Sequence, residues 1–164
     1  MGLPSTDNPQ QIRTVQIITF ALMQGVVVFA AVAWFISKSK EQADGVIVWI
    51  ALAFAVFAVV MRSIIGGFLT GALRNGLDRT TWDELPSKKQ NSRLIGQFQT
   101  KHIIECALLE GAALFNVVAY LIERNITSLI VAGVLLFLMA MAFPGGSKID
   151  QWVDNQKQLI NLGT

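Results

Sequence analysis

One carboxyl, that of Glu110, stands where the sequence otherwise offers only hydrocarbon. The run Cys106–Ile122 is apolar from end to end except for Glu110 and Asn116. An acid near the middle of a membrane span costs about 3 kcal/mol on insertion scales, so it marks a functional site by default. Three readings suit it, of which one is a ligand or lipid site. A carboxyl that alternates between charged and neutral forms carries a proton or an ion. A carboxyl that stays neutral is a hydrogen-bonding clasp to another helix. Glu105 lies five residues away, which is about 140° around a helix, so the two acids do not form a catalytic pair.

The partner for a clasp comes from an internal repeat. Ile17–Ile36 aligns with Ile103–Ile122 without a gap at a constant offset of 86, and 9 of the 20 positions are identical. Gly25/Gly111, Phe29/Phe115 and Ala33/Ala119 are among the identities, and Trp34/Tyr120 and Gln24/Glu110 are close substitutes. The repeat predicts Gln24 and Glu110 at the same depth in two parallel helices. Together they are the candidate proton- or ion-binding pair, or a polar clasp between the helices.

The remaining chemistry is sparse. His102 is the single histidine and Cys106 the single cysteine. His102 lies at a span boundary and reads as an interfacial anchor. Cys106 has no second cysteine for an intramolecular disulfide and reads as a small buried side chain. There is no Ser/His/Asp set, no phosphate loop and no metal-ligand spacing. The expectation is a protein that is not an enzyme and uses no catalytic residue, cofactor or metal. The net charge of +2 is too small to argue for a nucleic-acid partner.

The elements that hold Glu110 follow from charge spacing. Only 15% of the 164 residues are charged and 53% are hydrophobic, against about 25% charged in an ordinary soluble domain. No charged residue occurs from Thr14 to Ser37, from Gly45 to Met61, or from Asn125 to Ser147. Each gap approaches the ~20 residues that cross about 30 Å of hydrocarbon. The spans are about Thr14–Ile36, Gly45 to Leu73 with Arg62 as an interruption, His102–Ile122 and Ile126–Phe143. Nothing basic precedes Arg13, so the first is a retained span and not a signal peptide. Gly67 and Gly71 have the GxxxG spacing that permits close helix contact.

The predicted fold class is an all-α integral membrane protein. Four transmembrane helices form two tandem helical hairpins, followed by a C-terminal amphipathic helix. Residues 1–67 form the first hairpin, 68–101 a basic loop, 102–146 the second hairpin, and 147–164 the amphipathic helix and tail. Arg74, Arg79, Lys88, Lys89, Arg93 and Lys101 suit anionic headgroups. Trp152 shares one face of the last helix with Ile149 and Val153, as expected for a helix on the membrane surface or one packed on the basic loop. The N-terminal segment carries one Lys or Arg, residues 62–101 carry seven and the C-terminal segment two, against three in the hairpin turns. The positive-inside rule therefore puts both termini in the cytoplasm. The implied partners are the lipid bilayer and either a second copy or another membrane subunit.

Two resemblances attach to these residues. The stretch Ala107-Leu-Leu-Glu110-Gly-Ala-Ala113-Leu-Phe115 and its Val/Leu/Ile-rich continuation resembles the outer helix of the proteolipid c subunits of rotary ATPases. That likeness implies a glutamate that binds a transported proton or sodium ion. The chain departs from those subunits in lacking their glycine-rich inner helix. It also resembles small uncharacterised bacterial four-helix membrane proteins that pair an ALLEG-x-ALF helix with a Pro-x-x-x-Lys-Ile segment, here Pro144, Lys148 and Ile149. That likeness spans more of the chain and implies a bacterial inner-membrane location.

Overall fold

The computed structural model describes residues 9–37, 45–75 and 86–162. All regular structure among them is helical. The helices are α1 (Pro9–Ser37), α2 (Val46–Asn75), α3 (Ser87–Glu123), α4 (Ile126–Met141) and α5 (Gly146–Leu162). Three of them, α1, α2 and α3, are long and apolar enough to cross a membrane. Helix is the conformation such runs must take, because hydrocarbon offers no outside partner to a backbone N–H or C=O. The fourth apolar helix, α4, has 16 residues, fewer than the ~20 that span the core unaided.

Of the long segment expected as a loop over 68–101, residues 68–75 and 87–101 are helical. α2 continues through Asn75 and α3 begins at Ser87. Pro86 has extended backbone angles, φ −55° and ψ 140°, and its carbonyl accepts from the N–H groups of Lys89 and Gln90. Proline suits this place because it has no N–H of its own to leave unsatisfied. α3 thus reaches 37 residues, about 55 Å, well beyond the hydrocarbon core.

α3 is the axis of the molecule. About 44% of its most apolar window is buried, against 17% for α1 and 22% for α2. Cys106, Leu109, Ala112 and Ala113 pack with Val26 of α1, Ala55 and Ala58 of α2, and Leu135 and Met139 of α4. Small side chains at these crossings let the backbones approach, which is how membrane helices gain packing energy without a hydrophobic driving force. The outward faces of α1 and α2 expose Phe20, Phe35, Trp49 and Phe57.

Cross-helix contacts give the directions. Thr19 meets His102, Gly25 meets Glu110, and the Trp34 and Tyr120 rings stack at 6.2 Å. Residue numbers rise together, so α1 and α3 are parallel. Val48 meets Glu123, Phe54 meets Phe115, and Arg62 meets Glu105. Here one number rises as the other falls, so α2 and α3 are antiparallel. α3 and α4 are joined by a tight turn. Arg124 takes the left-handed conformation (φ 52°), its N–H donates to Tyr120 O, and Asn125 caps α4 by accepting from Thr127 N at 3.0 Å.

α5 does not stand off as a free surface helix. Its Ile149 and Val153 are buried against Leu94 and Ile95 of α3. The Trp152 ring lies 5.4 Å from that of Phe98. Its apolar face is thus covered by the first turns of α3, part of the segment expected as a basic loop.

Candidate functional site

Three glutamates project from α3, and the structure treats each differently. Glu123, at the C-terminal end, is buried. Its two carboxylate oxygens accept from Ile47 N and Val48 N of α2, each at 2.8 Å. These N–H groups belong to the first turn of α2 and have no intrahelical acceptor. The negative charge also faces the positive end of the α2 dipole. Glu123 is therefore an N-cap supplied by another helix. A Cβ placed on Gly45 would overlap the Glu123 carboxylate, so the residue before α2 must be glycine for the cap to seat.

Glu105 lies at the other end of the span. Its two oxygens face Arg62 Nε of α2 at 3.7 Å and Lys101 Nζ at 3.8 Å. Arg62, the interruption in the second apolar run, is held against α3 by this ion pair.

Glu110 lies between these two and is half-buried. It turns toward α1, where a Cβ added to Gly25 would come 3.8 Å from Oε1. Gly25 thus leaves room for the carboxyl to lie along the α1 backbone. Gln24, one residue earlier, is exposed. Among the described residues no hydrogen bond joins Gln24 to Glu110. The two candidate residues close no clasp inside the chain. Glu105 and Glu110 face α2 and α1 respectively, so no carboxylate pair forms.

Other polar side chains bind the helices together, His102 among them, which the sequence presents as an interfacial anchor. Asn116 Nδ2 donates to Ala51 O of α2 at 3.2 Å and to Ala112 O at 2.9 Å. His102 is buried, stacks on Phe98 with centroids 5.8 Å apart, and meets Thr19 Oγ1 of α1 at 3.2 Å through Nε2. The Thr19 hydroxyl proton is already donated to Val15 O at 2.9 Å. Its oxygen can therefore only accept from the ring, which assigns the proton to Nε2 of His102. Cys106 Sγ lies 3.5 Å from the same nitrogen. The available signal was spacing: Thr19, Asn116 and Glu123 are polar residues at or inside the ends of apolar runs, where an unpaired polar group is costly.

The basic residues proposed for the membrane surface separate in the structure. Lys89 and Arg93 are exposed near the start of α3, and Lys101 is engaged by Glu105. Arg74 lies in the last turn of α2 and Lys88 in the first turn of α3, whereas Arg79 lies outside the described residues. Trp152 is half-buried on Phe98.

Among the described residues, recesses flank α2 on the α4 side. One, of about 280 Å³, is lined only by apolar side chains, including Leu52, Val56, Val131 and Leu135. The other, of about 460 Å³, lies near the α2 and α4 N-termini and includes Trp49, Asn125 and Thr127. Among the described residues no three His, Cys, Asp or Glu side chains gather where a metal ion would fit. No protein-family model matches this chain, and no curated protein or solved structure shows significant similarity to it.

Proposed function

We propose that this chain is a small polytopic protein of the bacterial inner membrane that acts as a non-enzymatic subunit or scaffold. The observation that carries this reading is how α3 uses its polar side chains. His102 reaches α1, while Glu105, Asn116 and Glu123 reach α2. These groups hold helices together and do not converge on a reacting centre.

In this reading α4 is the fourth span and the chain is two tandem hairpins. The parallel course of α1 and α3 supports that plan, as does the Trp34–Tyr120 stack at the repeat offset of 86. At 16 residues, α4 covers about 24 Å, a mismatch that local thinning of the bilayer absorbs. Both termini are cytoplasmic, on the strength of the Lys and Arg distribution. Gln24 and Glu110 are the polar clasp of this reading.

A second reading is a proteolipid-like proton or ion carrier that uses Glu110. It is favoured by a single observation: Glu110, unlike Glu105 and Glu123, has no polar partner among the described residues.

Proton flux into liposomes, measured with thermal stability in detergent, separates the two readings. A scaffold gives no flux above empty liposomes, and Glu110→Gln leaves stability unchanged or slightly raised. Wild-type flux that is abolished in Glu110→Gln at unchanged stability would overturn the scaffold reading.

A further inference from the structure

α2 and α4 run parallel, since both are antiparallel to α3, and the recesses between them lie end to end. Leu52 lines both. The mouth is formed at the helix N-termini, with Gly45 and Trp49 on one side and Asn125 and Thr127 on the other. The deep part runs from Leu52 to Val60 on α2 and from Val131 to Leu138 on α4. Together they make one groove from Gly45 to Val60, about 22 Å along the helix.

Polarity is divided along this groove. The deep part is lined by apolar side chains alone. Its volume of about 280 Å³, spread over the ~12 Å from Leu52 to Val60, makes a channel about 5 Å across. A helix with its side chains is about 10 Å across, so a partner helix does not fit inside it, whereas a single hydrocarbon chain does. The mouth carries donors. Asn125 Oδ1 accepts from Thr127 N, which leaves the Asn125 amide N–H and the Thr127 hydroxyl to donate. Among the described residues neither donor has a partner. The nearby Glu123 carboxylate is turned to Ile47 N and Val48 N and does not take them. Trp49 is exposed at the mouth, as suits an indole at headgroup level.

We propose that this groove holds one phospholipid of the bilayer, with an acyl chain along Leu52–Val60 and its phosphate or ester oxygens at Asn125 and Thr127. The proposal rests on the reading of α4 as the fourth span and names what lies against it. Phosphate and ester oxygens only accept hydrogen bonds, and a tail offers only hydrocarbon, so the lipid repeats the division of the groove. Hydrocarbon gains nothing by leaving other hydrocarbon. The tail is held by packing, because an unfilled channel forfeits contacts along its whole wall, and the donors at the mouth fix its register.

The test uses the full chain in phosphatidylcholine liposomes containing a trace of phosphatidylcholine with a photoreactive diazirine in mid-chain. Mass spectrometry of peptides locates the labelled residues after illumination. Val27 and Val28 of α1 are the reference. They are about as exposed as Val56 and Val134. Phe54 meets Phe115, and Phe29 is the repeat partner of Phe115, so Val27 and Val56 lie level. Labelling over 52–60 and 131–138 should exceed that of the reference about threefold, as expected for a chain held by packing. Val56→Phe and Val134→Phe fill the groove from exposed positions, and each should bring its labelling down to the reference. Val28→Phe should leave it unchanged. Asn125→Asp/Thr127→Val keeps a capping oxygen and removes both donors, and should also lower groove labelling toward the reference.

Even labelling of all lipid-facing residues overturns the site, as does groove labelling that survives both phenylalanine variants. A groove left unlabelled beside labelled Val27 and Val28 means that protein covers it, and overturns the lipid. Labelling unchanged in Asn125→Asp/Thr127→Val overturns the placement of the headgroup. Alkaline phosphatase joined after Arg124 keeps the underlying reading apart. A silent reporter overturns the fourth span itself, whereas an active one with even labelling overturns the lipid site alone.

Discussion

Glu123 on α3 accepts the N–H of Ile47 at 2.8 Å, across 76 residues of chain. With its second oxygen on Val48 N, the carboxylate closes the first turn of α2 and anchors that helix to the last turn of α3. Glu123→Ala should lower stability by about 2 kcal/mol, because two N–H groups in the first turn of α2 lose a charged acceptor. Glu123→Gln keeps one acceptor oxygen and loses the charge, and should cost roughly half as much. Unfolding in mixed detergent micelles measures both. Equal stability of Glu123→Ala and wild type would show that the cap contributes nothing.

Gly45→Ala should act through the same carboxylate. The new methyl would occupy the space that the Glu123 side chain fills, so the side chain must swing away and the cap is lost. The double variant Gly45→Ala/Glu123→Ala should then be little worse than Glu123→Ala alone. Groups that share one contact are not additive, and a double-mutant cycle reads the coupling directly. Additive effects would place the cost of Gly45→Ala in the backbone instead.

His102 should be a neutral ring with its proton on Nε2 in the folded protein. The assignment follows from Thr19, whose hydroxyl proton goes to Val15 O and leaves only an acceptor for the histidine. Nitrogen-15 NMR of the labelled protein in detergent distinguishes the two tautomers. Thr19→Val should remove the preference, as Nε2 loses its acceptor on α1. A ring that carries its proton on Nδ1 in wild type would refute the assignment.

The orientation has its own test in reporter fusions. Alkaline phosphatase joined after Asp44 or Arg124 should be active, because both turns are expected outside the cytoplasm. The same reporter after Lys89 should be silent. The opposite pattern would reverse the topology, and activity after Arg124 alone would mean that only one hairpin crosses as proposed.

Much of the helical plan was legible in the sequence, since hydrocarbon forces a long apolar run to bond its own backbone. Charge-free stretches therefore located α1, α2 and α4. The partner of α5 was not legible. Its apolar face looks alike whether it meets lipid or protein, and only the packed Ile149, Val153, Leu94 and Ile95 show protein. Depth was legible too: the 86-residue offset put Gln24 level with Glu110. Rotation about the helix axis was not. Each residue turns the next side chain by about 100°, and that rotation set Gly25 against Glu110 and left Gln24 on the outside. The cap of Glu123 on Ile47 lay further out of reach. It depends on where the end of one helix comes to rest beside the start of another, a matter of interhelical packing that no local spacing encodes.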